Sequence, residues 1–406
     1  MRNFLKILVG LVLVLIRVET ARAQLDNRAF ISAKPGEEKC SSPECFNNKW
    51  YQAVAESSVA PQTGDLCLAL NTLTFFKDNE YFNKIIEGYT LFGTQLNPQL
   101  VYYPTKELRL EAGVFLWKDF GNPQLQQVRP TYRATWTQGP HQFILGNIRP
   151  HLNHNYAEPL FNFERVMLKP LEEGLQYHLN SKRAFLDIWV DWLRQQYRYS
   201  NYQEEIAGGL SSTIRLTKDE SQLQLWVPLQ FTATHNGGQI DTLDKPLQTL
   251  FNEAVGLAGR CRLDGKLQAL RLNLYALGFQ DHSPTPLLPF KSGTGYYLNG
   301  TLETRYVDLM LSYFEGNKFI SPLGGDLYQG LSRSVTDPGY VEANRRLLLV
   351  RLMRDFRIDD SAALTLRIEP VYDLNAQLLD FSFGVYLNFR QEWLLGNVGR
   401  RVRAGQ

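Results

Sequence analysis

The residues in this chain whose types could do chemistry are few and scattered. Asp187 and Asp191 stand four apart around Trp189, on one face of an alternating segment. Paired carboxylates act as acid and base in glycosidases, but on an alternating strand they more simply line a polar interior. His151 and His154 sit in HLNHN with Glu158 close by, a set able to bind a metal; histidines in a loop of this kind are expected to be solvated instead. The loop 322–326, PLGGD, contains glycines but lacks the GK[ST] that completes a phosphate cradle. No G-x-S-x-G nucleophile elbow occurs. These residues compose no catalytic set, no metal site and no cofactor site, and the chain is expected not to be an enzyme.

The elements that would position such residues are strands. In the last hairpin, Phe381, Phe383, Val385, Leu387 and Phe389 alternate with Asp380, Ser382, Gly384, Tyr386 and Asn388. Leu364, Leu366 and Ile368 alternate with Thr365, Arg367 and Glu369. A period of two sends one set to each face of a sheet. The same pattern recurs in 108–117, 222–231 and 270–275, and in 348–355, where Leu349 is assigned to the inner face and Val350 to the outer. One face is apolar and the other charged throughout. This phase turns Arg109, Arg129, Arg133, Arg215, Arg271, Arg351, Arg357 and Arg367 inward, with Glu111, Asp119, Asp187, Asp191, Asp308, Asp355, Glu369 and Asp380. The two signs balance, so the inner wall is expected to carry no net field. Trp117, Trp189, Trp226 and Tyr275 add flat surfaces beside those charges. An uncharged or zwitterionic solute suits such a wall.

Residues 1–23 read as a signal peptide: Arg2 and Lys6, an apolar run from Leu8 to Ile16, then Ala21-Arg22-Ala23. The run is too short for a spanning helix, which needs about 20 residues. The net charge of +2 falls to near neutrality once the basic leader is set aside, so nothing points to nucleic acid. Cys40 and Cys45 flank SSPE and could close a small loop in an oxidising compartment, although other pairings stay open. Cys67 and Cys261 lie in strand patterns and are expected to be small packed side chains.

Residues 24–64 lack alternation and form a pre-barrel extension or plug. From there to 390, tight turns at 104–107, 138–140, 180–182, 218–221, 264–265, 304–305 and 357–360 alternate with longer links. Those links fall at 77–90, 121–126, 150–173, 194–205, 235–250, 280–293, 315–343 and 373–377. The count gives about 16 strands, within a range of roughly 14 to 18. Residues 391–406 read as a basic tail. Pro98, Pro130, Pro228 and Pro370 fall inside strands, where a missing N–H interrupts the ladder.

With its leader and these alternating strands, the chain resembles the porin-like outer-membrane barrels of Gram-negative bacteria. Its segment 75–121, FFKDNEYF…WKDFG, is similar to the opening strands of an uncharacterised porin-like family. The resemblance implies a transmembrane antiparallel up-and-down β-barrel in the outer membrane, in contact with its lipid. It implies a passive or weakly selective channel for small polar solutes, possible as a homo-oligomer. Two alternatives stay open: a barrel enzyme acting on lipid or saccharide, and a plugged barrel whose interior is filled by the extension or by the links 150–173 and 315–343.

Overall fold

A computed structural model describes residues 62–149, 154–181, 183–218, 221–241, 243–359 and 361–398. The leader, the extension as far as residue 61, Cys40, Cys45, His151 and the tail from residue 399 lie outside the described residues. The strands are β1 (Asp65–Phe82), β2 (Glu87–Tyr102), β3 (Leu108–Asp119), β4 (Gln127–Gln138), β5 (His141–Asn147), β6 (Glu173–Asn180), β7 (Ala184–Arg194) and β8 (Glu205–Arg215). They continue as β9 (Leu223–Asn236), β10 (Gln248–Arg262), β11 (Leu267–Asp281), β12 (Ser292–Thr304), β13 (Asp308–Asn317), β14 (Asn344–Arg357), β15 (Ala362–Asp373) and β16 (Leu378–Asn397). A single turn of helix, α1 (Arg165–Leu168), lies between β5 and β6.

Every strand pairs antiparallel with its sequence neighbours, and β1 pairs with β16 to close a sixteen-strand barrel. All seven tight turns fall at one end, together with the start of β1 and the end of β16. Outer-membrane barrels keep that end in the periplasm and the longer loops outside. The hairpin between β1 and β2 is shorter than the sequence suggested, because both strands continue through 77–82 and 87–90. Lys77, Asp78, Asn79 and Glu80 put polar side chains on both faces there, so no hydrophobic alternation marks the stretch. At the other end of the chain, β16 runs past Phe389 to Asn397, opposite Asp65, and takes in the first residues of the basic tail.

The wall obeys the period of two. Leu272, Leu274, Val255, Phe381 and Leu387 are exposed on the outer face, while Leu349, Arg351 and Arg367 are buried inside. Each in-strand proline sits where the ladder fails on one side. Pairing of β2 with β3 skips Pro98, pairing of β9 with β10 skips Pro228, and pairing of β14 with β15 skips Pro370. Pro130 lies beyond the reach of β5. A residue with no N–H to give is tolerated where no partner asks for one.

Tyr102, Tyr103, Trp136, Trp192, Tyr297, Tyr313 and Tyr372 fall near strand ends, where the sequence leads one to expect aromatic girdles at the membrane rim, but two of them face inward instead. Tyr103 and Tyr297 are buried, and their hydroxyls meet Glu392 and Arg351. Cys67 in β1 is buried and Cys261 in β10 is half-buried.

The inside of the barrel is packed rather than wet over its loop-side half. Tyr156, Leu160 and Phe161 from the β5–β6 connection join Phe319, Ile320, Leu323 and Tyr328 from the β13–β14 connection. With Leu277, Phe314, Leu349 and Val371 from the wall they form one apolar cluster. The two connections also bond to each other: Asn162 N donates to Leu323 O at 2.7 Å, and Gly325 N to Glu158 O at 2.9 Å.

Candidate functional site

The β5–β6 connection folds into the lumen because its apolar residues have nowhere else to be buried. Tyr156, Leu160, Phe161, Phe163 and Met167 are each at most 3% exposed. Burying them brings His154, Glu158, Glu164 and Glu172 inside with them, and a buried charge needs a partner. His154, Glu158 and Glu164 each find one on the barrel wall, in Asp187, Arg351 and Lys77, while Glu172 pairs with His154 and Arg165 of the connection itself.

His154 stands at the centre. Its Nδ1 lies 2.8 Å from Asp187 Oδ2 on β7, and its Nε2 lies 2.7 Å from Glu172 Oε2. A neutral imidazole has one N–H; a ring facing carboxylate oxygens on both sides is held as the cation, donating twice. The ring stacks on Trp189 at 4.5 Å. Trp189 Nε1 donates to the Tyr156 hydroxyl at 3.2 Å, which donates to Phe231 O at 2.9 Å. Gly209 in β8 makes room for that tyrosine, since a Cβ there would lie 2.3 Å from its hydroxyl. Gln176 Nε2 donates to Asp187 Oδ1 at 3.0 Å, and His178 Nε2 stands 3.2 Å from the same oxygen. His154 and Asn155 both have φ near +55° (52° and 60°), a region L-residues enter rarely. The expectation of a solvated loop histidine fails at His154, which is wholly buried.

Burial alone would lower the His154 pKa, but Asp187 and Glu172 outweigh it and raise it to about 9. Glu172 is pulled the other way: burial would raise it, and His154 and Arg165 bring it below the usual carboxylate range. A raised histidine pKa adds stability that is full below its ordinary value near 6.5 and is lost as pH rises through about 9. Raising the pH from 6 to 10 is therefore expected to weaken docking of 154–172 by about 3 kcal/mol. Amide protection in that segment, taken relative to the intrinsic exchange rate at each pH, should fall over this interval in the wild type and change far less in His154→Gln.

Glu164 forms a second cluster near the loop-side end. Its Oε1 accepts from Asn79 Nδ2 at 3.0 Å and lies 3.3 Å from Lys77 Nζ. Its Oε2 accepts from the Tyr89 hydroxyl. Lys77 also reaches Ser382 Oγ at 3.4 Å. Glu158 forms a third. It pairs with Arg351, which also holds Glu369 at 2.9 Å and the hydroxyls of Tyr297 and Tyr328 at 3.2 Å each. Arg367 completes this group, 2.6 Å from Glu369 and over the Phe163 ring at 4.2 Å.

The inward residues read from sequence fall into these groups and a few others. Asp187 and Trp189 belong to the His154 cluster, and Asp191 lies 3.9 Å from Arg165 at its edge. Arg109, Glu111 and Arg133 gather in the turn-side half. Arg271 shares Glu303 with Arg260. Arg215 lies over Trp226, and Tyr275 stacks on Tyr297. Trp117 donates to Asp119 at 2.7 Å. Asp355 accepts from Thr365, and Asp308 from the Thr304 N–H. Trp189 and Trp226 are at most 2% exposed, so neither offers its ring to a solute. His154 and Glu158 take different partners on different walls. Among the described residues no group of His, Cys, Asp and Glu is arranged to hold a metal ion. Sequence reasoning missed Lys77, Asn79, Tyr89, Glu164 and Glu172. The first three lay in what read as a link, and the two glutamates carry no local signal of burial.

A family model described as lipid A 3'-O-deacylase-type matches residues 56–398. This overturns the expectation that the chain is not an enzyme, since the family is named for an acyl-ester hydrolysis. No curated protein sequence matches. Among solved structures, OprD from Pseudomonas aeruginosa is similar at 11% identity and a TM-score of 0.49, over 84% of this chain and 98% of that one. OmpT of Vibrio cholerae lacking loop L8 is similar at 12% identity and 0.48, over 81% and 100%. OccAB4 of Acinetobacter baumannii is similar at 9% identity and 0.46, over 82% and 99%.

Proposed function

This chain belongs to the lipid A 3'-O-deacylase-type family of the outer membrane, and from that premise we propose that it hydrolyses an acyl ester of lipid A inside the loop-side half of its barrel. The observation that carries the reading is the Glu164 cluster. It sets one carboxylate among an ammonium, an amide and a phenol, near the end of the barrel that faces outward. Ester hydrolysis needs a base for water, donors for the oxyanion and an acid for the leaving alcohol. Glu164 takes a proton from water as its oxygen attacks the ester carbonyl carbon. Lys77 and Asn79, which now donate to Glu164, turn to the carbonyl oxygen as it gains charge. Collapse breaks the bond to the alkoxide, which is protonated from Tyr89, and the proton held on Glu164 restores the phenol. The products are a fatty acid and an alcohol. The β13–β14 connection is tied to the β1–β2 hairpin at this mouth, with Arg333 N donating to Ile85 O at 2.8 Å, so entry of a lipid requires that contact to open.

Passive passage of a small solute is the competing reading, and the packed loops count against it. Refolded protein incubated with lipid A should release fatty acid detectable by mass spectrometry. Glu164→Gln should slow release by about 100-fold or more while the barrel stays heat-modifiable. A folded wild type that releases nothing, yet conducts steadily in a planar bilayer, would return the chain to the channel reading.

A further inference from the structure

We infer that the turn-side half of the lumen holds a second site, separate from the Glu164 cluster, that binds a small oxyanion: a carboxylate or a phosphate. A cavity of about 190 Å³ lies there, roofed by Val166, Pro170 and Leu171 of the folded-in connection. Its walls carry Arg109, Arg133, Arg149 and Arg390 against Glu111 and Glu392, a surplus of two positive charges. The balanced wall expected from the strands is thus not balanced locally. Arg109 and Arg133 against Glu111 supply one of the two extra charges; Arg149 from the connection and Arg390 with Glu392 from the stretch of β16 beyond Phe389, none of which entered that balance, supply the other.

The arrangement of the charges matters more than their count. Glu111 lies behind three guanidinium groups, with Arg109, Arg133 and Arg149 at 3.2, 3.3 and 3.4 Å. The side chains of Glu111 and Glu392 are each 3% exposed, whereas Arg109, Arg133 and Arg149 are 12%, 16% and 11% exposed. The void therefore meets more guanidinium than carboxylate surface, although Glu111 and Glu392 also line it and offset the desolvation of the cations. The contacts to Glu111 are long for charge-assisted hydrogen bonds, which run nearer 2.8 Å. Guanidinium groups present planar forks of N–H donors that match a carboxylate or phosphate. Asn97, also on the wall, accepts from Thr131 Oγ1 at 3.2 Å and leaves its amide N–H groups for the same ligand. Low dielectric strengthens each of these interactions relative to water.

The test is calorimetric titration of the refolded full chain in detergent with inorganic phosphate and, separately, with succinate. Saturable one-to-one binding of at least one is expected; phosphate alone would identify a phosphoryl ligand, and succinate alone a carboxylate. Arg133→Gln should weaken binding at least tenfold. Because Arg133 also supports Glu111, a second variant is needed: Asn97→Asp keeps the acceptor for Thr131 and adds a negative charge, and should weaken binding as much. Glu164→Gln should bind the anion as the wild type does, so this site and the hydrolytic reading fail separately. Absence of saturable binding by either anion to heat-modifiable wild type, or full-strength binding to Asn97→Asp, would overturn the assignment.

Discussion

Asp187→Ala is expected to lower the stability of the folded barrel by about 3–5 kcal/mol, the usual cost of removing one partner from a buried ion pair. The substitution leaves the His154 ring with Glu172 alone and strips an acceptor from Gln176 and His178 as well. All of these groups are at most 4% exposed, so water cannot replace the lost oxygen atoms. Asp187→Asn keeps a hydrogen-bond acceptor but removes the charge, and should cost visibly less. Urea unfolding in detergent micelles measures both. A cost below about 1 kcal/mol for Asp187→Ala would mean that His154 is neutral in the barrel, contrary to the two short contacts it makes.

Arg351→Ala should have a comparable effect, again about 3–5 kcal/mol, and a wider structural one. Arg351 on β14 joins Glu158 of the β5–β6 connection, the Tyr328 hydroxyl of the β13–β14 connection and Glu369 on β15. Among the described residues, its loss leaves the Glu158 carboxylate with the Tyr328 hydroxyl, at 2.8 Å. Both connections then lose a common anchor. Protease should cut within 318–343 at a rate the wild type does not show, and the planar-bilayer trace should gain open events. Changing Glu158 to Gln in the same chain removes the stranded charge, so the double variant should recover part of the stability. If it recovers none, Arg351 acts on packing alone and the ion pair is incidental.

The same two strand faces read differently on the page of sequence and in the barrel. The phase of the strand alone turns Leu349 inward, and it is inward. The phase does not say what fills the space it faces. Leu349 is 2% exposed because it packs against the two folded-in connections, not because it lines a water-filled passage. Tyr103 and Tyr297 failed for a related reason: position near a strand end suggests a membrane rim, but parity of the residue decides the face. Lys77 and Tyr89 read as loop in the sequence because polar side chains crowd both faces where the strands rise toward the loop end.

The sequence by itself determined the wall. Strand identity, the tight turns, the closed even-stranded barrel and the direction of nearly every wall residue follow from a period of two, which is local and repeats many times. Only the tertiary structure decided what the wall encloses. Glu158, Glu164 and Glu172 lie within 15 residues of one another, yet their partners include Arg351, Lys77 and, through His154, Asp187. Those partners are far apart in the chain and come together only when β1 meets β16 and the ring closes. No periodicity records that meeting, because ion pairing depends on distance through space and the closure sets those distances all at once.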